Sequence, residues 1–155
     1  MKSISSKKLK GNILIPGDKS ISHRLVILSS IAIGHSNIKG ILKSDDIMKT
    51  IEAMQKFGAS IEFTNPFNCS IKGVGLGGLS EPESALDFGN SGTSARLIMG
   101  LSASHPITTL FVGDSSLSLR PMDRVLKPLI NFGSNYSLRK DNYLPAILKG
   151  SNNPI

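Results

Sequence analysis

Apolar positions recur at helical spacing in two early stretches of the chain. Between Ser20 and Ile33 they fall at Ile21, Leu25, Leu28 and Ala32, and Gly34 follows where a glycine stops a helix. Between Asp45 and Phe57 the stripe is Ile47, Ile51, Met54 and Phe57, closed by Gly58. Ser44 or Asp45 suits the cap of that second helix, and Asp46 sits in its first turn. Two later helices are predicted, roughly Ser94 to Ala103 and Met122 to Phe132, the last ended by Gly133. Shorter runs between the helices read as strands: Asn12 to Ile15, Ser36 to Leu42, Ser60 to Thr64, Asn68 to Val74, Ala85 to Phe88, Ile107 to Val112, Ser134 to Leu138 and Ala146 to Lys149. A turn at Asn65-Pro66 joins two of them, and Gly73 to Ser80 is a glycine-rich loop.

The same order of elements occurs twice. Ser22-His23-Arg24-Leu25, followed by Leu28-Ser29, matches Ser94-Ala95-Arg96-Leu97, followed by Leu101-Ser102. The offset is about 72 residues and drifts to about 77, as loop insertions make it do. Phe57-Gly58 and Phe132-Gly133 each end a helix, and Lys72-Gly73 and Lys149-Gly150 each end a unit. Each unit reads close to strand–helix–strand–helix–strand–strand, and two such units are expected to pack their helices together under sheets.

Composition narrows the class. The chain has 155 residues, 39% hydrophobic and 19% charged, which is ordinary for one folded domain. No apolar run approaches the roughly 18 residues a membrane span needs. The basic stretch Met1 to Lys10 is followed by a short segment broken at Pro16-Gly17, so it does not read as a signal peptide. A cytoplasmic protein is the expectation, with no membrane partner. The single cysteine, Cys69, excludes an intrachain disulfide and reads as a buried structural thiol in a strand. His23, His35 and His105 lie far apart, and no metal-ligand spacing is present. A net charge of +7 favours anionic partners. Nucleic acid is not expected, because aromatics are only 5% and basic residues are dispersed beyond the N-terminus. Small anions fit better, and the alternative is a solvated basic surface.

Three segments carry candidate chemistry. In Gly17-Asp18-Lys19-Ser20-Ile21-Ser22-His23-Arg24 a turn opens a helix whose first N–H groups suit an anion. Lys19 adds a mobile charge, Ser20 a hydroxyl, and Arg24 a planar fork on the same helical face as Ser20. The alternative is a helix start capped by Ser20 with two surface cations. In Asp87-Phe88-Gly89-Asn90-Ser91-Gly92-Thr93-Ser94-Ala95-Arg96, small residues again open a helix, with glycines that permit close approach. Here an ordinary capped helix is the plainer reading. In Gly113-Asp114-Ser115-Ser116 through Arg120-Pro121-Met122, Pro121 suits a first helical turn. That puts Arg120 at a helix N-terminus, where the dipole disfavours a structural cation and so argues for a ligand anion. Together the three segments suit a ligand with several negative groups.

Gly17 to Arg24, Gly89-Asn90-Ser91-Gly92-Thr93 with Arg96, and Leu119-Arg120-Pro121-Met122 together resemble 5-enolpyruvylshikimate-3-phosphate synthases, in family order and at family-like spacing. The similarity runs from about Leu9 to the C-terminus. The related UDP-N-acetylglucosamine enolpyruvyl transferases lack the Asp-Lys-Ser start, and their catalytic cysteine loop has no counterpart here.

The resemblance implies an α+β fold: an enolpyruvyl transferase-like domain of repeated β-α-β-α-β-β units. About two of the first domain's three repeats are implied, near 14–80 and 81–155, and residues 1–13 would join a second domain. It implies a transferase moving the enolpyruvyl group of phosphoenolpyruvate to the 5-hydroxyl of shikimate 3-phosphate, in aromatic amino acid biosynthesis. No metal or organic cofactor is implied. Lys19 would meet phosphoenolpyruvate and the reacting hydroxyl, and Ser20 and Arg24 would hold shikimate 3-phosphate. Asn90, Gly92 and Thr93 would line the phosphoenolpyruvate side, with Arg120 gripping it. Gly92 matches the small residue of glyphosate-sensitive members. The family chain is well over twice this length, so the sequence is expected to lack the acid/base carboxylates of the second domain and to be inactive alone. Half of a split enzyme with a separately encoded partner, a gene remnant, and a module that only binds shikimate 3-phosphate all stay open. An exposed strand edge is expected where a third repeat would pair.

Overall fold

The computed structural model describes residues 8, 10–13, 15–140 and 142–153. Among these residues four α-helices and seven strands form an α+β arrangement around one apolar core. Helix α1 spans Lys19–Ser30, strand β1 Ile33–Lys39, α2 Asp45–Lys56, β2 Ser60–Asn65 and β3 Asn68–Val74. The second half runs β4 Leu86–Asp87, α3 Gly92–Ala103, β5 Thr108–Val112, α4 Asp123–Leu129, β6 Asn135–Arg139 and β7 Tyr143–Lys149.

The first sheet has the order β1-β3-β2 and is antiparallel throughout, with Ile38 opposite Cys69 and Ile61 opposite Ile71. The second has the order β4-β5-β7-β6. Its short β4 runs parallel to β5, with Leu86 opposite Phe111, and the other pairs are antiparallel. Strand β7 buries Leu144, Ala146 and Leu148 and exposes Pro145, Ile147 and Lys149, the alternation of a sheet with one face on the core. The rings of Phe88 and Phe111 stack at 5.6 Å, tying the β4 end to β5. Helix α2 meets both α1 and α3, so it forms the junction between the halves.

The two halves share a packing device. A Cβ on Gly73 would lie 2.2 Å from the Ala32 carbonyl and 2.5 Å from that of Ser29, at the end of α1. A Cβ on Gly150 would lie 2.0 Å from the His105 carbonyl and 2.2 Å from that of Ser102, at the end of α3. In each half only a glycine lets the last strand reach the helix C-terminus.

Helix α2 follows its predicted stripe: Ile47, Ile51, Met54 and Phe57 are all buried. Helix α1 does not. It buries Ser22, His23, Val26, Ile27, Ser29 and Ser30, and exposes Ile21 and Leu28 at 59% and 60%. Hydrogen bonds, rather than apolarity, settle that face. Ser30 donates to the Val26 carbonyl, Ser22 bonds Asp18 and Leu42, and His23 finds Thr50. The helix also ends at Ser30 rather than at Gly34, which lies within β1 at φ 91°. Of the expected strand at Asn12 to Ile15, the described residues Asn12, Ile13 and Ile15 are irregular and exposed. Residue 14 and most of the segment 1–13 lie outside the described residues. Cys69 is buried, as expected, and burial pushes its thiol pKa up.

Candidate anion site at the helix starts

The start of α1 is built by Asp18. Its backbone is extended and its carboxylate accepts the Ile21 N–H at 2.7 Å, so Asp18, not Ser20, is the cap. Lys19 and Ser20 then occupy the first turn with exposed side chains. The Arg24 guanidinium rests on the Ser20 carbonyl at 3.0 Å. Gly17 lets this turn sit against β1: a Cβ there would be 2.1 Å from the Gly40 carbonyl.

The start of α3 repeats the plan with Ser91, whose hydroxyl accepts the Ser94 N–H at 3.4 Å. The turn before it is fixed by Asp87. That carboxylate accepts the Gly89 N–H at 2.9 Å and lies 3.1 Å from the Lys49 ammonium. The Gly89 N–H, then Lys49, hold the Asp87 carboxyl below the usual carboxylate range; Asp87 in turn pushes the Lys49 pKa up. The Gly89 carbonyl accepts the Asp114 N–H at 2.9 Å, which brings the following loop alongside.

That loop delivers Arg120, by a different route from the one the sequence suggests. Pro121 is not in a helix, and α4 begins only at Asp123. Arg120 instead ends a single 3-10 turn, Leu117–Leu119. The dipole reasoning for Arg120 therefore fails. Its guanidinium turns toward α3, donating to the Asn90 carboxamide and to the Ser116 hydroxyl. Gly92 leaves room for it: a Cβ there would stand 2.8 Å from Arg96 Nη1 and 3.2 Å from Arg120 Nη1. Burial, and then the charges of Arg124 and Arg120, lower the Arg96 pKa. Among the described residues none of Arg24, Arg96, Arg120 and Arg124 is paired with a carboxylate.

The structure thus gathers Asn90, Gly92 and Arg120 directly, with Arg96 beside them. Thr93 is exposed on the same first turn of α3. Lys19 joins them through Asp46 of α2, whose carboxylate it pairs with. The Asp46 carbonyl accepts the Ser94 hydroxyl at 3.1 Å. Ser20 and Arg24 stay together on α1, where the Arg24 guanidinium bonds the Ser20 carbonyl rather than the α3 group. Asp46, Thr50 and Ser94 were not legible as site residues. They meet across three helices, and only the acidic first turn of α2 hinted at one of them. Among the described residues no group of three or more His, Cys, Asp or Glu could hold a metal ion, and no helix is long and apolar enough to cross a membrane.

Known proteins resemble this chain in sequence and in fold. The family model described as EPSP synthase (3-phosphoshikimate 1-carboxyvinyltransferase) matches residues 4–154. A 3-phosphoshikimate 1-carboxyvinyltransferase of Parvibaculum lavamentivorans is 50% identical over 94% of this chain and 32% of its own. Another, of Sphingopyxis alaskensis, is 51% identical over 94% of this chain and 34% of its own. The solved EPSP synthase of Acinetobacter baumannii superposes at a TM-score of 0.86 with 39% identity, over 90% of this chain and 32% of that one. The chain therefore spans about a third of the length of the relatives it matches. With the family model covering nearly every residue and the fold superposing on a solved member, this chain belongs to the EPSP synthase family.

Proposed function

We propose that this chain forms the anion-holding wall of an enolpyruvyl transfer site. The observation that carries the reading is a set of guanidinium groups without carboxylate partners among the described residues, gathered around a glycine at the start of α3. Arg120 and the first turn of α3, with Asn90, Gly92 and Thr93, receive the phosphate and carboxylate of phosphoenolpyruvate. Ser20 and Arg24, on α1, receive the phosphate of shikimate 3-phosphate. Lys19 stands at the start of α1 and serves the reacting hydroxyl and phosphoenolpyruvate. In the reaction the 5-hydroxyl oxygen bonds to the enol carbon as the methylene gains a proton. Loss of that proton and of inorganic phosphate then restores the double bond.

Holding two anionic substrates in line supplies much of such a barrier, but the proton step needs a free acid. Asp18 is engaged as the α1 cap and Asp46 as the partner of Lys19, so neither is a free acid. We infer that the chain alone binds substrate without turning it over, as a cytoplasmic protein needing no cofactor. The division of the sequence into a segment 1–13 and repeats near 14–80 and 81–155 belongs to the same reading.

Calorimetric titration with shikimate 3-phosphate tests it. Arg24→Ala removes a charge-assisted contact of about 1.5–3 kcal/mol, so affinity falls about 10- to 100-fold. A folded wild-type chain that binds nothing at millimolar ligand contradicts the reading, and so does enolpyruvyl product from the pure chain.

A further inference from the structure

The first turn of α2 lies between the two helix starts, and one residue there touches both. The Asp46 carboxylate pairs with the Lys19 ammonium of α1. The Asp46 carbonyl accepts the Ser94 hydroxyl of α3 at 3.1 Å and the Thr50 hydroxyl at 3.2 Å. Ser94 reaches Ser91, the α3 cap, at 2.5 Å, and Thr50 reaches His23 on α1 at 2.7 Å. Thr50, Ser94, Ser91 and His23 are all fully buried, while the Asp46 side chain keeps 26% of its surface exposed. The residue is fixed at its backbone by buried hydroxyls and presents its charge at the surface.

The Lys19 side chain is half exposed. An ion pair so placed contributes little to folding. It does decide where the ammonium points. We propose that Asp46 is a positioning residue for Lys19: it parks the ammonium between the two helix starts, and an arriving phosphate or carboxylate must take Lys19 from it. The proposal rests on the reading of Lys19 as a substrate contact. Two anions compete for one cation, and the Asp46 carboxylate also repels the newcomer at short range. Anion binding is thereby weakened, while Lys19 stays aimed at the site.

Phosphoenolpyruvate titrated calorimetrically into four forms of the chain tests this. Removing one carboxylate at this range tightens binding about five- to tenfold in Asp46→Asn. Asp46→Glu keeps the carboxylate and stays within about twofold of wild type. Asp45→Asn makes the same charge change in the same turn, at an exposed residue with no ion pair among the described residues. Solvent screening limits its effect to about twofold. Equal or weaker binding by a folded Asp46→Asn overturns the proposal, as does an Asp45→Asn effect of the same size. Failure of wild type and Asp46→Asn alike to bind removes the functional reading first and this proposal with it. On the unaltered protein, the carboxylate carbon signal of Asp46 moves together with the Lys19 side-chain signals on adding phosphoenolpyruvate. A static Asp46 signal beside a shifting Lys19 overturns the proposal even where the variants fail to fold.

Discussion

Thr50→Val exchanges a hydroxyl for a methyl at nearly constant volume, in a position with no exposure. Thr50 Oγ1 lies 2.7 Å from His23 Nδ1, 2.7 Å from Ser94 Oγ and 3.2 Å from the Asp46 carbonyl. Ser94 keeps Ser91 and Asp46 when Thr50 is lost. His23 does not fare as well: its Nε2 is already buried without a partner among the described residues, and its remaining contact to Ser94 is a long 3.5 Å. The substitution thus removes about two net hydrogen bonds and strands one buried ring nitrogen, a loss of about 2–4 kcal/mol. In a domain of this size that lowers the melting temperature by about 5–15 °C. Thermal unfolding followed by far-ultraviolet circular dichroism reads it directly. A shift below about 2 °C would refute the view that this hydroxyl cluster clamps α1, α2 and α3 together.

Other outcomes follow from the same geometry. Burial, the largest cause, lowers the His23 pKa; Asp46 opposes it, and Lys19 and Arg24 reinforce it. The unfolded chain takes this proton near pH 6.5, the ordinary value, and the folded chain only at lower pH. Stability is therefore full above pH 6.5 and falls as acid carries the solution below it toward the folded value; urea midpoints against pH should show the decline, flattened in His23→Gln. Gly73→Ala and Gly150→Ala drive a Cβ into backbone carbonyls at and just past the ends of α1 and α3, each costing about 3 kcal/mol or more by urea unfolding. Gly92→Ala presses on the flexible ends of Arg96 and Arg120 and meets Leu117 Cδ1 at an ordinary 3.5 Å. It should leave the melting temperature within about 2 °C, as Ala suits a helix start, while weakening phosphoenolpyruvate binding in calorimetry. The buried Cys69 thiol, its pKa raised, should react with a thiol probe only as fast as the chain unfolds.

What the sequence disclosed depended on how local each cause is. Helix α2 was legible because its apolar stripe, its acidic first turn and Gly58 all act within one element. So was the hairpin of β2 and β3, with Asn65-Pro66 between them. Helix α1 misled, because its most apolar stripe is the exposed one. Its buried face is chosen by hydroxyls and an imidazole that find partners 20 to 71 residues away. The dipole argument for Arg120 did not survive the structure. The residue reaches Asn90 from a 3-10 turn, not from a helix start. Lys19, Ser20 and Arg24 could be named because they share one helix opening. Asp46, Thr50 and Ser94 could not, because their meeting depends on how three helices pack.

The central claim is that the starts of α1 and α3 are a substrate-holding wall. A two-dimensional amide NMR spectrum of the purified chain, recorded with and without shikimate 3-phosphate, tests it most directly. Dispersed peaks are expected, with ligand-induced shifts that centre on Ser20 and Arg24 and fade toward β6. A dispersed spectrum that does not respond, or shifts centred away from α1, would contradict it.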